Sequence, residues 1–262
     1  MNHALKIGEK AFTWFVVVLT IVWSMGLAAL VPLAATAATC PTLAAGDLFK
    51  VSGNSAVYLL NANMQRLYFP HSSVYYSWYP DYSGIIELDS SCLASYPQPS
   101  VPPFGVNWRP GSRMVKLQIS PDVYAVEPGN KLSKVGSEAV AAGLYGSNWA
   151  GQVVDVSDYF WPNYPNRGAD VTEVKPHNGL LIQVSGSNTI YSVENGEKKM
   201  VVDGSVRGDV RVVSQAVADT VPTGTGTVSV ASLYSNPSQG VGTATVSPTP
   251  GTPTPAPVTG GS

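Results

Sequence analysis

The 262 residues carry a formal net charge of -2, with 12% charged and 44% apolar, where an ordinary soluble domain is about one-quarter charged. So weak a balance excludes nucleic-acid binding through phosphate neutralisation, and the apolar fraction excludes wholesale disorder. Twenty-five Gly, 21 Pro and 13 Tyr beside so few charges suit an exported, β-rich surface protein.

Lys6, Glu9 and Lys10 come first, and the next charge is Asp47. Within that gap residues 12–33 are apolar enough to enter a bilayer. Ala35-Thr36-Ala37 offers the small side chains that cleavage between Ala37 and Ala38 requires. Residues 1–37 are therefore expected to be a signal peptide or, since the run approaches the ~20 residues of a span, an N-terminal membrane anchor. Basic residues on its N-terminal side place the remainder outside the cytoplasm in either case, extracellular or at the cell surface. Cys40 and Cys92 are an even pair in an exported chain and predict a disulfide. Lipidation of Cys40 fits poorly, because Ala37-Ala38-Thr39 lacks the large apolar residue such processing wants.

The middle of the chain is one unit written three times. Copies open at Gly46, Gly111 and Gly179 and reach Tyr58, Tyr124 and Tyr191 after 12, 13 and 12 positions. A basic residue follows each Tyr: Arg66, Lys131, and Lys198 or Lys199. Further on, Val74 matches Val140, Tyr82 matches Trp149, Glu87 matches Asp155, and Tyr96-Pro97 matches Tyr164-Pro165. The expected fold is mainly β (α+β), each copy being short antiparallel strands with a short helix, clearest where Ser137 caps Glu138 to Leu144. Repeat 1 is expected over 38–108 and repeat 2 over 109–176. Repeat 3, over 177–222, lacks the aromatic helical segment and reads as truncated, as a capping copy often is. Residues 223–262, uncharged and ending in a Thr/Pro tract, read as a linker or stalk.

The motifs Gly-x-Leu-x-Lys and Val-Tyr, the basic residue that follows, and Trp108-Arg109-Pro110-Gly111 resemble tandem modules of uncharacterised exported proteins from candidate-phyla bacteria. Similar modules stand beside cell-wall amidases in some actinobacteria. The resemblance spans about 46–222 and implies a surface location and a non-catalytic role.

Flat rings beside Asn, Ser and Asp suit a sugar, offering an apolar face to its C–H groups and partners to its hydroxyls. Tyr75, Trp78, Tyr79, Trp149 and Trp161 are therefore the candidate glycan- or partner-binding residues, with Trp78 and Tyr79 expected to be exposed. Against this stands the reading that the rings fill the core or the joints between copies. The repeated basic residues are expected on solvent-facing strand edges or against wall phosphates and carboxylates. Arg207-Gly208-Asp209 matches an adhesion tripeptide, a pattern that three residues meet by chance. No catalytic residues, metal site or cofactor are assigned. His71 and His177 lack metal-ligand spacing, and Asp81, Glu87 and Asp89 are the only carboxylates considered for glycosidase chemistry. The expected protein is a non-catalytic envelope protein that binds cell-wall or surface glycan and meets the membrane only through its N-terminal segment. A structural, self-associating surface-layer or adhesion protein is the alternative, and the front part of a cell-wall enzyme a minor one.

Overall fold

In the computed structural model, which describes residues 40–238, the chain is mainly β, with three sheets and a few short helices. The expected signal or anchor segment, its Ala37–Ala38 cleavage point and most of the Thr/Pro tract lie outside those residues. Among the described residues no helix is long and apolar enough to cross a membrane.

The first sheet contains β1 (Leu48–Val51), β2 (Val57–Leu60), β3 (Arg66–Tyr68) and β4 (Ile86–Leu88), in the order β3-β2-β1-β4. The first three form an antiparallel meander, and helix α1 (Ser72–Trp78) carries the chain over to β4, which lies parallel to β1. The second sheet repeats the plan with β5 (Met114–Leu117), β6 (Tyr124–Glu127), β7 (Lys131–Lys134) and β8 (Val153–Val156), crossing through α2 (Glu138–Tyr145). A fifth strand, β9 (Asn166–Arg167), returns parallel to β7. The third sheet contains β10 (Leu181–Val184), β11 (Ile190–Glu194), β12 (Glu197–Val202), β13 (Val210–Val213) and β14 (Thr223–Ser229). Between β12 and β13 only turns and loop replace the crossover helix. Short helices α3 (Gln215–Ala218) and α4 (Val230–Leu233) follow β13 and β14.

The expected stalk begins too early. Thr223–Ser229 pairs with β12, with Lys198 opposite Thr223 and Val202 opposite Ser229. Its Thr-Gly alternation resembles a linker, yet ladder pairing uses backbone groups alone and β-branched Thr suits a strand. The same return occurs in the other copies, where Gly105 bridges to Tyr68 and Val171 to Val135.

Side-chain alternation along each strand stacks the sheets. Phe49 and Leu60 point to an outer cluster with Leu43, Leu88, Cys92 and Tyr96. Their neighbours Leu48 and Leu59 point into the layer shared with Val115 and Val126 of the second sheet. Met114 and Ala125 in turn meet Ile182 and Val193 of the third, and Leu181 meets Val228 and Leu233 beyond it. Helix α1 fills the first joint with Val74, Tyr75 and Trp78, and α2 fills the second with Val140, Ala141, Leu144 and Tyr145. A crossover helix thus covers the sheet that follows its own copy. The third copy lacks both such a helix and a following sheet among the described residues, and α4 covers that face instead.

The opening glycines serve this stacking. Gly111 and Gly179 have φ of 74° and 91°, and a Cβ on Gly111 would stand 2.2 Å from the carbonyl oxygen of Gly179. Cys40 and Cys92 form the expected disulfide, with Cα atoms 5.4 Å apart, closing the outer end of the first copy.

Candidate functional site

The rings chosen from sequence lie mostly in the joints. Trp78 and Tyr75 are each 1% exposed. Helical spacing turns positions 74, 75 and 78 together toward the second sheet, and the Trp78 indole N–H donates to the Asn107 carbonyl at 2.8 Å. Tyr79, expected outside, is half-buried against the same layer and stacks on Tyr75 at 5.0 Å. Trp149 is half-buried against the second joint, and Trp161 against the first, where it packs beside Tyr124 and Tyr164. Adjacent aromatic residues carry no signal of which faces inward until the helix phase is known. The rings left outside are Tyr76 and Tyr82, 46% and 48% exposed, and Tyr159. Tyr82 stacks on Tyr75 at 4.8 Å.

The repeated basic residues are also corrected. Register places Arg66 opposite Leu60, Lys198 opposite Val193, and Leu132 opposite Val126, so the second copy carries Leu at this position and Lys131 stands one residue earlier. Arg66 donates to the carbonyls of Leu93 and Tyr96, and Lys198 to the equivalent carbonyls of Ala218 and Val221. These cations cap the last carbonyls of the short helix after the closing strand, where a helix end carries partial negative charge. In the second copy Arg167, beside Leu132 on β9, donates to the Tyr164 carbonyl.

Arg207-Gly208-Asp209 is likewise absorbed by the fold. Asp209 pairs with Arg109 at 3.0 Å and Arg113 at 3.3 Å, while Arg207 lies over the Tyr234 ring and donates to the Trp78 carbonyl. The three carboxylates considered for catalysis are engaged elsewhere. Asp81 accepts from the Ser83 amide in a turn, Glu87 pairs with Lys50 at 3.2 Å, and Asp89 caps the turn at Ser91. Donation from Ser83 and Ser91 holds Asp81 and Asp89 below the usual carboxylate range, and Ser52 and Lys50 do the same for Glu87. A general acid needs the opposite shift. No group of three or more His, Cys, Asp or Glu among the described residues is placed to hold a metal ion.

One surface does combine apolar walls with polar side chains. At the joint of the first two sheets a cavity of 380 Å³ is walled by Val74, Val106, Trp108, Val154 and Phe160, with His71, Asn107, Arg113 and Asp155 also lining it. A second, of 440 Å³, is lined by Asn54, Ser55, Tyr68, Ser72, Tyr75 and Tyr82. Both include Pro70 and His71, so the two cavities adjoin. His71 caps α1, its Nδ1 accepting from the Ser73 amide at 3.1 Å. That bond places the ring proton on Nε2, and His71 lines both cavities. Tyr68 and Phe160 stack at 6.2 Å and bridge the first and second copies. The sequence reading weighed His71 only for metal and catalysis and used Trp108 only as a repeat marker.

Comparison with protein-family models, curated proteins and solved structures finds no match to this chain.

Proposed function

We propose that the chain is a non-catalytic glycan-binding protein of the cell envelope, exported by its N-terminal segment, and that the groove at the joint of the first two copies holds the sugar. The observation that carries this reading is the pair of adjoining cavities that share Pro70 and His71. Together they offer ring faces in Tyr68, Tyr82 and Phe160, and hydrogen-bonding groups in Asn54, Ser55, His71 and Asn107. Sugars need both, and two adjoining cavities of 380 and 440 Å³ suit an oligosaccharide better than a single ring. Partners of this chemistry are peptidoglycan strands and surface polysaccharide.

The test is a pull-down of the full chain on purified peptidoglycan and on surface polysaccharide, with His71→Ala and Phe160→Ala variants. Retention that both variants weaken at unchanged stability supports the proposal. No retention by the wild type on either polymer rejects it.

One observation favours a second reading, self-association through a sheet edge. Glu87 on β4 and Asp155 on β8 stand opposite Lys50 and Lys116, whereas β13 places Val212, 65% exposed, opposite Gln183. Arg211 on the same strand is buried, so the exposed position at Val212 carries no charge, and an uncharged edge is a strand-pairing template. Sedimentation velocity decides it: concentration-dependent dimers abolished by Val212→Lys support association, and a monomer at all concentrations excludes it.

A further inference from the structure

The charges behind the groove are unequal. Asp209 is shared by Arg109 and Arg113, and Arg211 stands close to all three, donating to the Ser112 carbonyl at 2.7 Å. Burial lowers the Arg211 pKa; Tyr145 and Asp209 oppose the shift, while Arg113 and Arg109 add to it. One carboxylate therefore serves three guanidinium groups. Buried Nε atoms on Arg109 and Arg211 have no hydrogen-bond partner. Such a cluster holds surplus positive charge in a region of low dielectric, where an anion is attracted strongly.

Arg113 is the member of the cluster that lines the groove, its side chain 35% exposed against 3% for Arg109. Its Nη1 is committed to the Ser112 carbonyl at 2.8 Å and to Asp209. The guanidinium lies over the Trp108 ring, 5.8 Å from its centroid. Among the described residues Nε and Nη2 have no hydrogen-bond partner, and they form one edge of the fork, the geometry that takes a carboxylate through two parallel hydrogen bonds. Asp155 also lines the cavity, and Lys116, 3.1 Å away, offsets its charge.

We infer that the glycan held in this groove is acidic, and that Arg113 reads a carboxylate borne on a sugar whose ring lies against Phe160. This inference rests on the glycan reading and names the substrate class of the same site. It makes Arg113 the specificity-determining residue.

Matched probes test it with the full chain. Peptide-free peptidoglycan strands, which bear a lactyl carboxylate, are paired with chitin oligosaccharides, which share the backbone without it. Oligogalacturonates are paired with their methyl esters. Calorimetric titration is expected to show at least one acidic member bound roughly ten- to a hundred-fold more tightly than its neutral match, the range set by a charged hydrogen-bonded pair. Arg113→Gln should erase the preference, so that the acidic and neutral members of each pair bind alike. Asp155→Asn, which leaves the Asp209 cluster intact, should tighten acidic binding. Equal affinity within both pairs, or a preference that survives in Arg113→Gln, overturns the inference and leaves the glycan reading standing. Absence of binding to all four probes sinks the glycan reading itself. Inorganic phosphate competing as well as acetate against the acidic member would show that a general oxyanion site, not a carboxylate fork, is present, and would also overturn it.

Discussion

Replacing Trp78 with Ala separates a joint residue from a ligand-contacting one. The side chain is 1% exposed and packs between the first and second sheets with Leu48, Leu59, Val115 and Val126. Removing a buried Trp costs about 3 to 5 kcal/mol through lost transfer energy and the cavity left behind. Its indole N–H also satisfies the Asn107 carbonyl, and leaving that acceptor unpaired adds roughly 1 kcal/mol or more. The expected loss is about 4 to 6 kcal/mol, which in a body of this size lowers Tm by roughly 10 to 20 °C. Urea unfolding followed by tryptophan fluorescence and by circular dichroism measures it. Trp78→Phe, keeping most of the volume but not the donor, should fall between wild type and Trp78→Ala. A loss under 1 kcal/mol accompanied by loss of glycan retention would refute the reasoning, because it would place the ring at the surface.

Gly111→Ala should destabilise far more than Gly46→Ala, since a Cβ at 111 meets the Gly179 carbonyl while one at 46 meets nothing within 4 Å; comparable thermal shifts would contradict the packing of the second and third copies. Reducing the Cys40–Cys92 bridge, 52 residues apart, should cost up to about 4 kcal/mol by loop entropy, seen as a lower urea midpoint with and without reductant. Alkaline stability should fall as pH rises from about 10. Burial, and then the Asp81 charge, pushes the Tyr75 hydroxyl up to about 12, and burial also raises Tyr79, Tyr145 and Tyr164. Their unfolded forms release protons first, so the stability they contribute is present below pH 10 and lost above it; a urea midpoint unchanged between pH 9 and pH 11 would contradict this. On the acid side, burial holds His177 below its usual 6.5. Its Nδ1 donates to the Asn178 carbonyl and its Nε2 accepts from the Tyr145 hydroxyl at 2.7 Å. Its stability contribution is present above pH 6.5 and declines as pH falls below it, an effect that His177→Gln should remove from the pH–stability curve.

The strands were legible because alternation survives in each copy. Leu48-Phe49 and Met114-Val115 send neighbouring side chains to opposite layers, and a period of two reads as a strand. Ser137 marked α2 because its hydroxyl caps the Val140 amide. The basic residues failed for the same physical reason that the strands succeeded. A one-residue slip in a strand moves a side chain to the other face, so matching Lys131 to Arg66 hid the fact that Leu132 holds that position. The third copy's departures are mutually consistent. Tyr96 accepts from the Leu43 amide and Tyr164 from the Trp108 amide, each three residues before an opening glycine. In the third copy Val221 lacks the hydroxyl, and Pro176, three residues before Gly179, lacks the amide proton. The groove itself was not legible, because Pro70, Trp108 and Asp155 meet only once two copies are stacked, and no local spacing records that.

Hydrogen exchange of the full chain, with and without the glycan it retains, tests the site most directly. Bound sugar is expected to slow exchange together at residues 70–73, 106–108 and 154–160, the segments that wall the groove. Protection confined to the segments around Trp149 or to β11 and β12, with residues 70–73 and 154–160 unchanged, would contradict a binding site at the joint of the first two copies.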